Sequence, residues 1–220
     1  MFDQTVVNMI GTGIKDTLYM TLASTFFGYV FGLPFGIVLY VTRKDGLRPN
    51  RFIYFVGDAI CNIVRSVPFL ILLILLIPFT RFLVGKSYGS SATVVPLVIC
   101  AVPYIARVVE ASLHEVDTGV IEAAKAMGAS KLQIIWNVLL VEARVSLLNG
   151  AVITTGILLG YSAMSGTVGG GGLGDIAVRY GYYRWQTDIM VVTVVLLIVI
   201  FQLIQNAGNR MVGWLDHRKR

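Results

Sequence analysis

Residues 116–141 read VDTGVIEAAKAMGASKLQIIWNVLLV. Asp117 and Thr118 are residue types that cap helix N-termini, because their side-chain oxygens accept from backbone N–H groups that lack an intrahelical partner. Behind them Val120, Ile121, Ala124 and Met127 recur at the spacing of one helical face. Gly128 stands where a helix would end in a left-handed residue, which glycine adopts at little cost. Ser130 with Gln133 makes a capping box and opens a second helix containing Ile134, Ile135, Val138 and Leu139. The stretch therefore reads as two short helices around a glycine hinge, flanked on both sides by long apolar runs.

Working outward, the composition says what those runs are. Of 220 residues, 56% are hydrophobic and 14% are charged, whereas soluble domains carry roughly 25% charged residues. The chain reads as an all-α membrane protein. Its net charge of +6 does not point to nucleic acid, since the basic residues gather at the ends of apolar runs, as orientation in a bilayer requires. Cys61 and Cys100 each sit inside an apolar run, as small core residues do. His114 and His217 are far apart with no ligand spacing around them, so metal binding is not expected. The first apolar run is too long for a signal peptide, and none is expected.

A bilayer core of ~30 Å needs about 20 apolar residues in a helix. Five spans are expected, in a single domain over residues 1–220. The first is Leu18 to Val41. The second runs from about Ile60 to Phe82 and is kinked at Pro68. Arg51, Asp58 and Arg65, spaced seven apart, form a polar stripe at its start, with Asp58 and Arg65 near the cytoplasmic edge. The third covers about Ala92 to Ala106 and contains Pro96 and Pro103. The fourth is Val145 to Met164, and the fifth runs from Ile189 to about Gly208. One set of loops holds Arg43, Lys44, Arg48, Arg51, Arg107, Lys125, Lys131, Arg144, Arg210, Arg218, Lys219 and Arg220, which is twelve cations. The opposite set holds Lys15, Arg81, Lys86, Arg179 and Arg184, which is five. The richer set belongs in the cytoplasm, so the N-terminus is expected outside and the C-terminus inside. The two-helix module, about residues 114–141, then faces the cytoplasm.

Some motifs match by letter only. Gly169 to Gly174 fits G-x-G-x-x-G, but a dinucleotide fingerprint must follow a strand in a βαβ unit. It reads instead as a flexible external turn. Gly85-Lys86-Ser87 looks like the end of a phosphate-binding loop, yet the required earlier glycine is Thr80. The module also has the outline of a helix-turn-helix reader. Its second helix carries Leu132, Ile134, Ile135 and Trp136, where base recognition needs polar side chains.

Ala123, Ala124 and Ala126 give the first short helix a slim surface, and Glu122 supplies a carboxylate near its start, where the dipole favours one. Glu122-Ala123-Ala124, then Gly128, then Val138-x-Leu140 resembles the EAA loop of ABC-importer permeases. Val138 stands for that pattern's isoleucine and Val141 for its proline. Arg65 to Phe69, Tyr161 to Gly166, Val168 to Asp175 and Arg179 to Tyr182 are similar to the methionine-uptake permeases of that class. The resemblance implies an ABC type I importer transmembrane fold in a bacterial inner membrane. It implies a homodimer with two cytoplasmic ATPase subunits and an extracytoplasmic substrate-binding lipoprotein that delivers methionine, the L form with the D form left open. It also implies that Glu122, Ala123, Ala124, Gly128, Val138 and Leu140 couple the chain to the ATPase. The chain would then be no enzyme and carry no cofactor, with Mg-ATP held by the partner.

The residues themselves point to pairing of two copies, because five proline-containing spans do not enclose a polar path alone. Gly156 and Gly160 have small-xxx-small spacing for close helix or dimer contact. Thr154, Thr155 and Ser162 are suited to lining a pathway or to bonding across helices. Gln202, Gln205 and Asn206 suit interhelical hydrogen bonds. Met164 ends the fourth span, either as an apolar gate meeting its own copy or as a packing residue. The competing readings are a permease for another small amino acid and a stand-alone secondary transporter. The latter would carry intramembrane charges for ion coupling.

Overall fold

The computed structural model describes residues 3–215, and no strand occurs among them. The helices are α1 (Gln4–Thr42), α2 (Arg51–Ser66), α3 (Phe69–Leu75), α4 (Ile77–Val84), α5 (Ser90–His114), α6 (Thr118–Ala126), α7 (Lys131–Gln133), α8 (Leu140–Glu142), α9 (Arg144–Ser165), α10 (Gly172–Ile176) and α11 (Thr187–Leu215). A π turn (Ile134–Leu139) joins α7 to α8, and a second (Ala177–Tyr182) follows α10. Of the cations counted for orientation, Arg218, Lys219 and Arg220 lie outside the described residues.

Four helical stretches are long and apolar enough to cross a bilayer: α1, α5, residues 144–182 and α11. A fifth crossing exists only if α2 and α3, bent by 102° at their junction, count as one broken span. The expected single kinked helix from Ile60 to Phe82 is therefore corrected. The residue before a proline is driven out of helical geometry; Val67 is extended (φ −84°, ψ 125°), and the chain restarts at Phe69 in a new direction. The helix containing the first span is also longer than the apolar run suggests. It has 39 residues, about 58 Å at 1.5 Å per residue. Hydropathy marks the membrane-length part only, and nothing in residues 4–17 breaks the helix.

The core is α5 with α1 wrapped along it. Buried Leu97, Ala101, Ile105, Val109 and Leu113 of α5 continue into Ile121, Ala124, Ile134 and Leu139 of the module. Gly28, Gly32 and Gly36 line the facing side of α1. A Cβ at Gly28 would meet Ile105 at 2.8 Å, one at Gly32 would meet Ile105 at 2.8 Å, and one at Gly36 would meet the Ala106 carbonyl oxygen at 2.6 Å. Helices in lipid associate by packing rather than by hydrophobic transfer, and small residues let their backbones approach.

The glycine-rich segment after α9 is corrected too. It is packed, not a loose turn. Leu173 N–H donates to Thr17 Oγ1 (2.9 Å), Gly89 N–H to the Gly169 carbonyl (2.9 Å) and Thr93 Oγ1 to the Gly170 carbonyl (3.3 Å). A side chain at Gly174 would run into the Ala163 carbonyl of α9.

Arg107, expected in a loop, lies inside α5 and ties α2 to it. Its guanidinium pairs with Asp58 of α2 and with Glu110 (2.7 Å), and it also donates to Asn62 Oδ1 (3.2 Å). Tyr54 OH donates to the other Glu110 oxygen (3.2 Å). With Arg107 removed from the loop count, eleven cations face five. Breaking a fully buried pair costs ~3–5 kcal/mol. Asp58 keeps 32% of its side-chain surface exposed, so Arg107→Met should cost less, about 2–3 kcal/mol. The unfolding midpoint of the detergent-solubilised protein measures this. Adding Glu110→Gln should restore part of the loss. A midpoint unchanged by Arg107→Met would show that the network holds nothing together.

Candidate coupling loop and pathway residues

The module forms as its sequence indicates, with differences that matter. Asp117 Oδ1 accepts from Gly119 N–H (2.6 Å) and caps α6. At the other end Gly128 N–H donates to the Lys125 carbonyl (3.0 Å) and Ala129 N–H to the Ala124 carbonyl (3.1 Å), the two bonds of a Schellman motif. Gly128 has φ +82°, and a Cβ there would meet nothing within 4 Å. Its requirement is conformational rather than one of space. Both capping-box bonds of Ser130 and Gln133 are present, at 3.3 and 2.8 Å. Beyond them the chain winds as a π turn, so buried Ile134 and Leu139, five residues apart, share one side. Val138 and Leu140 are half-buried against the same core.

Only Ile121 and Ala124 of the expected α6 face are buried. Val120 is 42% exposed and Met127 82% exposed. Val120 stands one residue off the buried stripe, and Met127 lies past the last helical residue as the C-cap. The outer surface of the module therefore presents Glu122, Ala123, Lys125 and Ala126 beside Met127, Leu132 and Trp136, all exposed. The edge of this surface adjoins a cavity of about 200 Å³ whose walls include Tyr40, Arg43, His114 and Glu122 itself. The arrangement is a capped helix on the end of α5, with one carboxylate and Lys125 set among small and apolar side chains. Such a surface suits a docking contact. Among the described residues no three His, Cys, Asp or Glu side chains are grouped to hold a metal.

The pathway candidates separate. Ser162 is 1% exposed. Its hydroxyl donates to the Leu159 carbonyl (2.7 Å) and lies 3.5 Å from Thr21 Oγ1 of α1. It packs α9 on α1, the contact across helices that was the alternative to lining a pathway. Met164 is 45% exposed near the end of α9. Gly156 is covered by α11, where a Cβ would meet Gln205 Nε2 at 2.7 Å and Phe201 at 2.9 Å. Gly160 has open space around it and is exposed, so the two do not share one contact. Gln205 donates to the Val152 carbonyl (3.2 Å), an interhelical bond of the kind expected.

Arg65, an exposed residue at the end of α2, lines a cavity of about 220 Å³ that it shares with Cys100 and Tyr104 of α5 and with Thr154, Ile157 and Tyr161 of α9. Tyr161 stacks on Phe69 with ring centroids 4.5 Å apart and planes 3° from parallel. Sequence reading missed this juxtaposition because the 102° bend that creates it joins residues distant in sequence. The Gly28-Gly32-Gly36 repeat was visible in the sequence and was the signal for the α1–α5 contact.

Residues 32–220 match the family described as "Binding-protein-dependent transport system inner membrane component". The chain is 48% identical over 211 residues to the probable D-methionine transport system permease protein MetI of Vibrio cholerae serotype O1, an alignment covering 96% of this chain and 94% of that one. It is 53% identical over 154 residues to the D-methionine transport system permease protein MetI of Escherichia coli strain K12, covering 70% and 71%. Its fold superposes with a TM-score of 0.96 on a chain from inward-facing conformations of the MetNI methionine ABC transporter, at 48% identity, covering 98% of this chain and 100% of that one. An amino acid ABC transporter crystallised with histidines shares the fold, with a TM-score of 0.74 at 20% identity, covering 97% and 95%. The chain belongs to the binding-protein-dependent transport system inner membrane components.

Proposed function

We propose that this chain is the membrane-spanning subunit of an ATP-driven importer that carries methionine into the cell. The observation that carries the reading is 48% identity along 96% of the chain to a protein named as a D-methionine permease. The exposed, capped α6 accords with it. Two copies form the membrane unit, and two ATPase subunits sit on their cytoplasmic side, each receiving one α6. ATP hydrolysis belongs to those subunits. An extracytoplasmic binding protein supplies the substrate. The chain resides in a bacterial inner membrane with its N-terminus outside and its C-terminus inside. Met164, half-exposed at the end of α9, meets its copy near the two-fold axis as an apolar gate. A stand-alone, ion-coupled transporter is disfavoured by the charges: Asp58 is already consumed by the Arg107 network that ties α2 to α5.

Uptake of labelled methionine is measured in cells lacking their own system, with the chain, its ATPase and its binding protein supplied together or with one omitted. Uptake is expected only with all three, for L- or D-methionine or both. Gly128→Val forces a β-branched residue into the left-handed region at roughly 1–2 kcal/mol, and Glu122→Lys reverses the charge presented by α6. Both should insert normally, recover little ATPase on co-purification and lose most uptake. Full uptake by both variants would remove α6 as the docking surface, and uptake without the ATPase would remove the importer reading.

Single cysteines in a chain freed of Cys61 and Cys100 test the arrangement. In intact cells Lys86→Cys should react with an impermeant thiol reagent, Asp45→Cys should not, and oxidised Met164→Cys should join two copies. Labelling at 45 from outside would invert the orientation. An uncrosslinked 164 would return that methionine to packing.

A further inference from the structure

Helix α2 turns a polar side inward and an apolar side outward. Tyr54, Asp58 and Asn62 recur every fourth residue, so they form one stripe. All three reach the same two residues of α5. Asp58 and Asn62 engage the Arg107 guanidinium, and Tyr54 OH donates to Glu110. Arg107 in turn holds Glu110, one turn along its own helix. On the opposite side of α2, Phe52, Phe55 and Ile63 are exposed. Apolar attachment of α2 to the body of the chain is slight. Of its 16 residues only Gly57 and Cys61 are buried. Cys61 belongs to a small cluster with Leu39 and Ala106, apart from the main core.

Both ends of α2 are joints. Asn50 caps its start, accepting from Phe52 and Ile53 N–H (3.1 Å each). At its far end the 102° bend at Val67 and Pro68 separates it from α3. Between the network and the module α5 has no such joint. From Arg107 it stays helical to His114, about 10 Å at 1.5 Å per residue. Buried Val109, Leu113, Val116 and Ile121 carry one core on into α6. A displacement imposed on α6 therefore reaches Arg107 along α5, and α2 follows as firmly as Arg107 grips it. Apolar helices packed together can slip past one another by a turn. A guanidinium forked between several acceptors resists that slip, because sliding parts Asp58 from its cation and disturbs the pairing of the buried Glu110 carboxylate. Buried ion pairs add little stability over apolar packing of the same shape, and their best-attested use is to fix register.

We propose that Arg107 is a positioning residue for transport: with Asp58 and Glu110 it locks α2 to α5, so that movement of α6 swings α2 about its two joints. The swing shifts the break between α2 and α3 against α9, where Phe69 stacks on Tyr161. The proposal rests on the reading of α6 as the docking surface of an ATP-driven importer, and adds where in the chain the movement is handed on.

The test separates stability from coupling in the complete permease–ATPase complex, reconstituted in liposomes with its binding protein and labelled methionine. Uptake, ATP hydrolysis and the thermal unfolding midpoint are measured on each preparation. One variant makes the whole network apolar: Tyr54→Phe, Asp58→Leu, Arg107→Met and Glu110→Leu together. Because no charge is left unpaired, its midpoint should stay near that of the wild type. ATP should still be hydrolysed, while methionine taken up per ATP should fall about tenfold, a loss in the range of coupling effects along packed networks. Should the apolar variant not fold, Asp58→Asn decides; it keeps the size, loses the charge and should lower uptake per ATP about threefold. Arg107→Lys, which keeps the charge and loses the fork, should lie between Asp58→Asn and wild type. Undiminished uptake per ATP in the folded apolar variant, or in Asp58→Asn where the apolar variant does not fold, would overturn the linkage. So would uptake that falls only in step with the midpoint or with ATP hydrolysis. In either event methionine uptake by the wild type leaves import standing and only the linkage falls. Absence of wild-type uptake would remove both.

Discussion

A Cβ added at Gly36 would stand 2.6 Å from the Ala106 carbonyl oxygen, and one at Gly32 would stand 3.0 Å from that of Val102. At these points the bare backbone of α1 meets the backbone of α5 together with the side chains of Ile105 and Val109, with no side chain of its own in between. Lipid tails are as apolar as leucine, so burying apolar surface against lipid or against protein is nearly equivalent. Association must come from close packing, and packing is closest where side chains are smallest. The Gly28-Gly32-Gly36 seam fixes the depth at which α1 lies along α5. Upstream on α1, Thr17 holds the Leu173 N–H and so anchors the glycine-rich segment after α9. The end of the molecule that carries this segment is thus built on the same helix.

From α5 the consequences run in two directions. Its C-terminal end passes through buried Leu113 and Val116 into α6, whose Ile121 and Ala124 belong to the same core. The module is therefore seated on the most buried helix of the chain rather than hung from a loose loop. Partway up, Arg107 reaches sideways to Asp58. This holds α2 against α5 and brings Arg65, two helical turns further along α2, to the cavity between α5 and α9. The support for the exposed α6 surface and the cavity between α5 and α9 both derive from how α5 is packed.

Much of this was legible in the sequence because it is local. The Asp117 cap, the Gly128 terminus and the Ser130–Gln133 box are decided by residues within a few positions of one another, and each formed as read. The apolar runs likewise gave most of the crossings. What could not be read depends on distance or direction. The run from Ile60 to Phe82 has the composition of one span; Pro68 marks a kink in it, but no residue nearby sets the size of the turn, 102°. Gly169 to Gly174 has the letters of a flexible turn, and only the approach of Thr17, Thr93 and Ala163 makes it packed. Chemistry alone left Ser162 between lining a pathway and bonding across helices, and its burial against α1 depends on a neighbour distant in sequence. Arg107 was counted as a loop cation because its partners, Asp58 and Asn62, are distant in the chain.

The dependence on backbone contact between α1 and α5 is tested most directly by comparing leucine at two glycines of the same helix. Gly36 is in contact with α5, whereas Gly11 has no atom within 4 Å of its Cβ position. The measurement is the thermal unfolding midpoint of each purified variant. Overpacking a tight contact costs roughly 1–3 kcal/mol, and leucine is a better helix former than glycine. Gly36→Leu should therefore lower the midpoint by about 5 °C or more, or yield no folded protein, while Gly11→Leu should leave it unchanged or slightly raised. Equal midpoints for the two variants would contradict the account.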